Sequence, residues 1–317
     1  MGNFMDICAA DMRRGYTMSR KIIYLINPIS GTRGKHSLKE MIRQKTQEQG
    51  IDFSILPTSA EGDYSHLSSL IRAEGVTDIV ICGGDGTVSA VMAALRGSSV
   101  RLGVIPMGSG NGLAFAAGIP KDPARALDLV FAGKANPIDG VLINDEFSCM
   151  LAGIGMDGKV AHEFAGQRRR GLQTYIRITM RNFFTARAYP FRLRVPGARE
   201  LDVEAFFVSI ANGNQFGNNF TIAPRASLHD GLLDIVIAKK TGRLNFLWSV
   251  VRQVLGGYPV QPAPAGAGKG AILYFQTPSL VIENPAEAPL HIDGDPKTSA
   301  RTFRIEVVPD AIRLIQP

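Results

Sequence analysis

Three apolar segments in the first part of the chain each end in a glycine-rich turn, and this pattern constrains the fold more than any other feature. The turns are Asn27-Pro28-Ile29-Ser30-Gly31, Gly83-Gly84-Asp85-Gly86-Thr87 and Pro106-Met107-Gly108-Ser109-Gly110-Asn111. Apolar runs that alternate with helical patterns indicate parallel strands covered by helices. Because the carboxyl ends of parallel strands meet at one edge of a sheet, we expect the three turns to converge there.

The alternation predicts a Rossmann-like α/β domain over residues 19–138. Its predicted strands are Lys21–Ile26, Phe53–Pro57, Thr77–Cys82 and Leu102–Ile105, and its predicted helices are Lys35–Gln49, Tyr64–Glu74 and Val88–Leu95. Residues 1–18 carry no usable pattern, and we expect a disordered extension there.

Short strands dominate residues 139–317 and predict an antiparallel β-sandwich domain. The predicted strands are Phe147–Gly153, Phe191–Val195, Leu201–Ala211, Leu233–Ala238, Ala271–Gln276, Ser279–Glu283, Arg304–Val308 and Ile312–Ile315. Two helices, Gly171–Ala188 and Arg243–Gly256, interrupt the strands, and Val260–Lys269 reads as a flexible loop. A return of the last strand to the first domain stays open.

Composition excludes several classes of protein. The chain is 45% hydrophobic and 20% charged, which is ordinary for a globular protein able to bury a core. Cys8, Cys82 and Cys149 share no CxxC spacing, which argues against a disulfide framework or zinc site and favours a reducing, cytosolic setting. The net charge of +7 points to an anionic partner: nucleic acid, phospholipid or nucleotide.

The central turn, within Ile79–Val88, has the chemistry of a phosphate site. Glycines let the backbone approach phosphate oxygens, and the N-terminus of the following helix adds positive dipole character. Asp85 is compatible with a polyphosphate when Mg²⁺ binds there too. A tight strand–helix turn explains one such segment equally well, but three convergent turns favour phosphate binding.

The motifs NP-x-SG, GGDGT and P-x-GSGN-x-LA together resemble the diacylglycerol kinase catalytic domain family. That family includes bacterial diacylglycerol kinases, YegS-like lipid kinases and sphingosine kinases, and the resemblance covers about residues 20–317. It implies an ATP-dependent lipid kinase that uses Mg²⁺ and phosphorylates a lipid hydroxyl such as that of diacylglycerol or a sphingoid base. NAD kinases share GGDGT, so a soluble NAD kinase-like enzyme is an alternative. A non-catalytic nucleotide- and lipid-binding protein is another.

The resemblance also implies roles for individual residues. The residues expected to bind ATP are Asn27, Ser30, Gly31, Gly83, Gly84, Asp85, Gly86, Thr87, Gly108, Ser109 and Asn111. Asp85 is expected to be catalytic through its metal. Gly112 stands where bacterial diacylglycerol kinases usually have an aspartate, so part of the metal–water network is missing.

Acidic residues in the second half complete the expected site. Asp139 resembles an aspartate that joins Asp85 in the magnesium network, with an Asp-Gly turn as the alternative. Asp230, with backbone carbonyls of Ser227 and Leu232, resembles a structural magnesium site, with a hairpin turn as the alternative. Asp295 stands where the family has a glutamate as general base, while a simple turn explains Asp293. For Asp157 we favour a helix N-cap.

The stretch between Glu163 and Glu200 suits a membrane surface. It contains nine arginines, no acidic residue and several aromatic and aliphatic side chains. This composition favours a cytoplasmic protein held peripherally at the inner face of the membrane, and we expect no nucleic-acid partner. A homodimer contact is an alternative. In Arg243–Gly256 the wide apolar stripe favours core packing, with contact to an acyl chain as the second interpretation.

Overall fold

The computed structural model describes residues 20–27, 35–167, 171–215, 221–256, 260 and 270–317. Several expectations concern residues outside this part of the chain. They are the extension over residues 1–18, Ser30 and Gly31 of the first turn, Arg168, Arg169 and Arg170, and the loop after Val260 up to Lys269.

The first part of the chain forms a parallel α/β layer, as the sequence predicts. Strands β1 to β4 lie in the order β4-β3-β1-β2, and every neighbouring pair is parallel. Their bounds are Lys21–Ile26, Asp52–Pro57, Asp78–Gly83 and Arg101–Pro106. Helices α1 to α5 span Lys35–Glu48, Leu67–Glu74, Asp85–Leu95, Gly112–Ala116 and Pro123–Ala132. The last two helices were not predicted, although Asp122 caps α5 by accepting the N–H of Arg125 and Pro123 opens it.

The second part is rich in antiparallel strands, which confirms the predicted fold class. Strands β5 to β10 are Lys134–Ile143, Glu146–Ser148, Leu151–Gly155, Tyr189–Arg194, Leu201–Ala211 and Leu233–Lys239. Strands β11 to β15 are Ile272–Thr277, Ser279–Glu283, Leu290–Ile292, Asp295–Lys297 and Thr302–Gln316. Helices α6, α7 and α8 are Met156–Ala165, Leu172–Thr185 and Arg243–Gly256. None of the helices described is both long and apolar enough to cross a membrane.

Two long antiparallel strands, β5 and β15, connect the two parts. Ile138 and Leu314 lie in the apolar core around the parallel strands, whereas Val141 and Ile305 lie in the core of the sandwich. β15 also pairs in parallel with β4. One continuous strand pair therefore passes through both cores and fixes the geometry of the cleft between them.

Several local predictions were wrong. The last two predicted strands form the single strand β15, because pairing with β5 continues through an irregularity between Val308 and Ile312. Phe147–Gly153 is divided into β6 and β7. For Asp139 only the alternative explanation is excluded, because the residue lies within β5 and does not form an Asp-Gly turn. Asp157 is the second residue of α6, whose N-cap is Gly155, and its carboxylate accepts the N–H of Gly158.

The core-packing prediction for α8 was wrong for most of its apolar stripe. Phe246 is buried and Val250 is half-buried. The stripe residues that are exposed are Leu244, Leu247, Val251 and Leu255. Helix α8 therefore rests on the sandwich by one edge and presents its other apolar residues to the outside.

Candidate active site

The second and third glycine-rich turns meet backbone to backbone. The N–H of Met107 donates to the carbonyl oxygen of Gly83 at 2.8 Å. A Cβ placed on Gly108 would lie 2.7 Å from the Cα of Gly84, too close for any side chain at that position. The turns can touch because both residues are glycines.

Asn27 places the end of the first strand beside the same edge. Its N–H donates to the carbonyl oxygen of Cys82, the residue before Gly83, at 3.4 Å. Thr87 packs closely against Gly83. A Cβ added to Gly83 would lie 3.0 Å from the Cβ of Thr87. Ser109 and Gly86 are exposed at this edge and face the solvent that a ligand would replace.

The carboxylate of Asp85 ties the second turn to the third. It accepts the N–H of Asn111 at 2.7 Å on Oδ2 and the N–H of Gly112 at 2.7 Å on Oδ1. A Cβ on Gly110 would lie 2.5 Å from Oδ2, so a glycine there makes room for this carboxylate. Bacterial diacylglycerol kinases usually have an aspartate at the position of Gly112. In this chain Gly112 contributes its backbone N–H to Asp85.

The side chain of Asn111 shapes the third turn from within. It is buried, and its backbone has a φ of 54°, in the left-handed region that asparagine tolerates. Its Oδ1 accepts the N–H of Gly108 at 2.9 Å, and its Nδ2 donates to the carbonyl oxygen of Gly108 at 2.8 Å. Asn111 thus holds the turn in the form that presents two N–H groups to Asp85.

The environment of Asp85 raises the pKa of its carboxyl group above the ordinary value of an aspartate. Burial is the largest cause of its raised pKa, and the charge of Asp293 adds to it. The hydrogen bonds from Asn111 and Gly112 act in the opposite direction. A cation near Asp85 would relieve this cost, and the carboxylate retains lone pairs beyond the two that accept N–H groups.

Asp293 is the most heavily hydrogen-bonded carboxylate of the site, and sequence reasoning treated it only as a turn residue. Ser89 of α3 donates to its Oδ2 at 2.6 Å, and Ser148 donates to its Oδ1 at 2.7 Å. The backbone N–H groups of Cys149, Met150 and Leu151 each donate to it at 3.1 Å. It joins α3, the segment between β6 and β7, and the turn between β13 and β14.

This turn brings Asp295 to the N-terminus of α3. Asp295 is exposed, and its Oδ2 lies 3.6 Å from the position that a Cβ on Gly86 would occupy. Asp295 thus lies beside Gly86, the residue that follows the other candidate catalytic residue, Asp85, in the chain. An open cleft of about 330 Å³ extends from here along α3, with Ser89, Ile292 and Lys297 among its lining residues.

Asp139 and Asp230 form a separate acidic pair. The carboxylate of Asp139 is buried and accepts the N–H of Gly231 at 2.8 Å and that of Asp310 at 3.1 Å. Burial is the largest cause of the raised pKa of Asp230, and the charge of Asp139 raises it further. The hydrogen bonds of Asp139 tie β5 to the Asp230 turn and to the irregular point of β15.

Asp230 lies in a tight turn. Leu232 N–H donates to Oδ1 of Asp230 at 3.1 Å, and Gly231 has a φ of 68°. Within the residues that the structure describes, no three His, Cys, Asp or Glu side chains are grouped as metal ligands. A metal here would therefore depend on backbone carbonyls and water in addition to the carboxylate, as hard cations accept.

Comparisons with known proteins match both parts of the chain to lipid kinases. Residues 21–143 match the diacylglycerol kinase catalytic domain, and residues 151–316 match the YegS C-terminal NAD kinase beta sandwich-like domain. The chain belongs to the family of diacylglycerol kinases and YegS-like lipid kinases.

Named relatives cover most of the chain. A diacylglycerol kinase of Mycobacterium tuberculosis is 27% identical over 94% of this chain and 95% of its own length. A YegS-like lipid kinase of Citrobacter koseri is 30% identical over 86% of this chain and 88% of its own. The crystal structure of a diacylglycerol kinase from Bacillus anthracis superposes with a TM-score of 0.73 at 22% identity, covering 95% of this chain and 98% of that one. The last likeness concerns the fold.

Proposed function

We propose that this kinase transfers the γ-phosphate of ATP to a lipid hydroxyl at a membrane surface. The observation that carries the proposal is the position of Asp295 beside Gly86, the neighbour of Asp85, although 210 positions separate Asp85 and Asp295 along the chain. One carboxylate lies at the phosphate-binding turns, and the other faces the cleft where an acceptor hydroxyl would enter. Phosphoryl transfer depends mainly on such positioning and on electrostatic stabilisation.

ATP would bind with its phosphates against the two joined turns. Gly83, Gly84, Gly86 and Thr87 would offer backbone and hydroxyl groups to phosphate oxygens at the N-terminus of α3. The residues proposed to close the pocket from the other strands are Asn27, Ser30, Gly31, Gly108, Ser109 and Asn111. Asp85 would hold magnesium, directly or through water, and the ion would supply neutralisation of the negative charge on the transferred phosphate.

Asp295 would orient the acceptor hydroxyl and receive its proton. The side chain of Asp295 is one methylene shorter than the glutamate of the family pattern. The backbone must therefore place Asp295 closer to the acceptor hydroxyl. Asp293 supplies this, since its five hydrogen bonds at 2.6–3.1 Å hold the turn against α3 and β7. A base that mainly positions the hydroxyl suits a loose transition state.

A second, structural magnesium is proposed at Asp230 with the carbonyls of Ser227 and Leu232. The repulsion between Asp139 and Asp230 supports it, because a cation would relieve the raised pKa of Asp230. A role for Asp139 in the catalytic magnesium network would require water or phosphate oxygens to bridge toward Asp85. Its hydrogen bonds to Gly231 and Asp310 favour a role beside Asp230.

The proposed setting is the cytoplasm, with peripheral attachment to the inner face of an anionic membrane. The basic stretch between Glu163 and Glu200 supports this, and a nucleic-acid partner is not expected. A homodimer remains compatible with the basic stretch.

Incubation with labelled ATP and a total lipid extract, followed by mass analysis, tests the proposal. A phosphorylated lipid is the expected product. Phosphorylation of NAD with no lipid product would instead identify an NAD kinase-like enzyme. If no phosphorylated lipid forms, and Asp85→Ala leaves lipid binding intact, the chain is a non-catalytic nucleotide- and lipid-binding protein.

A further inference from the structure

All the large apolar side chains that are exposed in the described part of the chain lie on two helices. Helix α7 contributes Ile176, Met180 and Phe184, and helix α8 contributes Leu244, Leu247, Trp248, Val251 and Leu255. Leu244 is 85% exposed, Leu255 is 82% exposed and Trp248 is 67% exposed. Monomeric proteins rarely concentrate apolar surface in this way unless it contacts a partner or a membrane.

The exposed apolar residues form a row along each helix, and α8 is fixed to α7 and the sandwich by Phe246. Ile176, Met180 and Phe184 recur every four residues and so lie on one face of α7. On α8, Phe246 faces inward and stacks on Phe183 of α7 at 4.7 Å between ring centroids and on Phe206 of β9 at 4.3 Å. The aromatic stack orients α8 so that its remaining apolar residues point away from the sandwich.

The charged residues on the two helices have one sign. Neither helix contains an aspartate or glutamate. The exposed arginines on or directly after the two helices are Arg177, Arg181, Arg187, Arg243 and Arg252. Arg181 also pairs with Glu163 at 2.5 Å. Arg192 and Arg194, farther along the basic stretch, form ion pairs with Asp202, Glu200 and Glu283 on the sandwich.

We propose that α7 and α8 together insert shallowly into an anionic bilayer, with the apolar rows among the acyl chains and the arginines at the headgroups. This rests on the proposed function, because it names the surface by which the kinase reaches a lipid acceptor. Peripheral helices bind membranes by inserting apolar side chains between the lipids and by attracting anionic headgroups to their basic residues. Tryptophan suits the interface between headgroups and acyl chains.

Charge complementarity favours a bilayer over a second copy of the chain. A two-fold contact through this surface would place the same arginines opposite one another without an acidic residue on either helix to neutralise them. A nucleic acid would match the arginines but would leave the rows of leucine and valine facing phosphates.

Trp248 is the only tryptophan of the chain and therefore a built-in probe. The test adds vesicles of phosphatidylglycerol and phosphatidylethanolamine to the full chain without ATP. We expect a blue shift of Trp248 emission and quenching by lipids brominated on their acyl chains. Phosphatidylcholine vesicles should give a much weaker effect, because they lack anionic attraction.

Two double variants separate the apolar and ionic contributions. Leu244→Ser with Leu255→Ser keeps the probe and should weaken binding about tenfold or more, by removing two apolar anchors. Arg177→Gln with Arg243→Gln should weaken binding to anionic vesicles and leave binding to phosphatidylcholine unchanged. Arg72→Gln with Arg125→Gln, exposed arginines on α2 and α5, is the matched control and should bind like the parent. Circular dichroism checks that each variant folds.

The proposal is overturned if anionic vesicles leave Trp248 emission unchanged, or if the leucine variant binds as well as the parent. It is also overturned if Trp248 is already shielded in a dimer that vesicles do not dissociate, or if duplex DNA protects Trp248 and vesicles do not. Because binding is measured without ATP, a failure of phosphotransfer would count against the proposed kinase reaction and not against this surface.

Discussion

The hydroxyl of Ser89 donates a hydrogen bond of 2.6 Å to the carboxylate of Asp293, which lies 204 positions farther along the chain. Ser89 belongs to the helix that starts at Asp85, and Asp293 begins the turn that carries Asp295. This contact couples the phosphate-binding edge to the candidate base. This hydrogen bond therefore helps to set the relative position of the two candidate catalytic residues, Asp85 and Asp295.

Replacing Ser89 should impair turnover more than folding. Ser89→Ala removes a hydrogen bond to a carboxylate, which contributes about 1.5–3 kcal/mol to the free energy of unfolding. We expect kcat to fall, since the hydrogen bond that ties the Asp293 turn to α3 is lost and Asp295 is held less firmly beside Gly86, while the KM for ATP changes little. Ser69→Ala, at an exposed helical serine of α2, is the control. Equal kcat values for Ser89→Ala and Ser69→Ala would contradict the coupling.

The contact between the two glycine-rich turns should tolerate no side chain. Gly108→Ala would place a Cβ 2.7 Å from the Cα of Gly84, and backbone cannot yield as a flexible side chain can. We therefore expect the turns to separate and nucleotide affinity to fall, as measured by calorimetric titration with Mg·ATP. Gly242→Ala is the control, because a Cβ there meets nothing within 4 Å. Unchanged affinity in Gly108→Ala would show that the joined turns do not bind ATP.

The convergence of the turns could be predicted from the sequence, because the carboxyl ends of parallel strands always lie at the same edge of the sheet. The glycines at 84 and 108 were identified from the motifs, and in the structure each faces the backbone of the other turn, at 3.2 Å and 2.7 Å from the position of an added Cβ. The role of Asp293 could not be predicted, because its hydrogen-bond donors come from two segments that are distant in sequence, Ser89 and residues 148–151. The strand–turn–strand pattern around it predicts only a hairpin.

The errors in the fold also have local causes. Asp139-Gly140 resembles a turn, but pairing with the long β15 keeps the backbone extended through it. In α8 the helical spacing of the apolar residues was identified correctly. This spacing does not show which face of the helix is buried. That depends on the stacking of Phe246 between Phe183 and Phe206.

Asp85 should titrate above the ordinary range of an aspartate. Burial and the charge of Asp293 raise its pKa. A raised acid pKa means that the folded state holds the proton more tightly than the unfolded state does. The stability contributed by this group is therefore present below the unfolded pKa and is lost as the pH rises through the folded pKa.

Carboxyl ¹³C chemical shifts measured against pH, with Asp85→Asn for assignment, check this titration. Addition of Mg²⁺ with ADP should move the Asp85 titration to lower pH, because a nearby cation favours the carboxylate. If Mg·ADP binds and the Asp85 titration does not move, the metal does not lie at Asp85.

Magnesium should stabilise the sandwich through Asp230. We expect Mg²⁺ to raise the Tm of the parent and EDTA to reverse the rise, because a ligand that binds only the folded state stabilises it. Asp230→Asn should abolish the increment without changing the ATP-binding turns. Asp52→Asn, at an exposed aspartate of β2, should keep it. If Mg²⁺ raises the Tm of Asp230→Asn as much as that of the parent, magnesium does not bind at this turn.

The most direct measurement of the central claim compares Asp85→Asn, Asp295→Asn and the parent chain with labelled ATP and a lipid extract. If the two carboxylates serve one phosphotransfer reaction across Gly86, both variants should lose the phosphorylated lipid product. Asp85→Asn should lose more of it, since it also removes the charge that would hold magnesium. Formation of the same product at the parent rate by both variants would contradict the account.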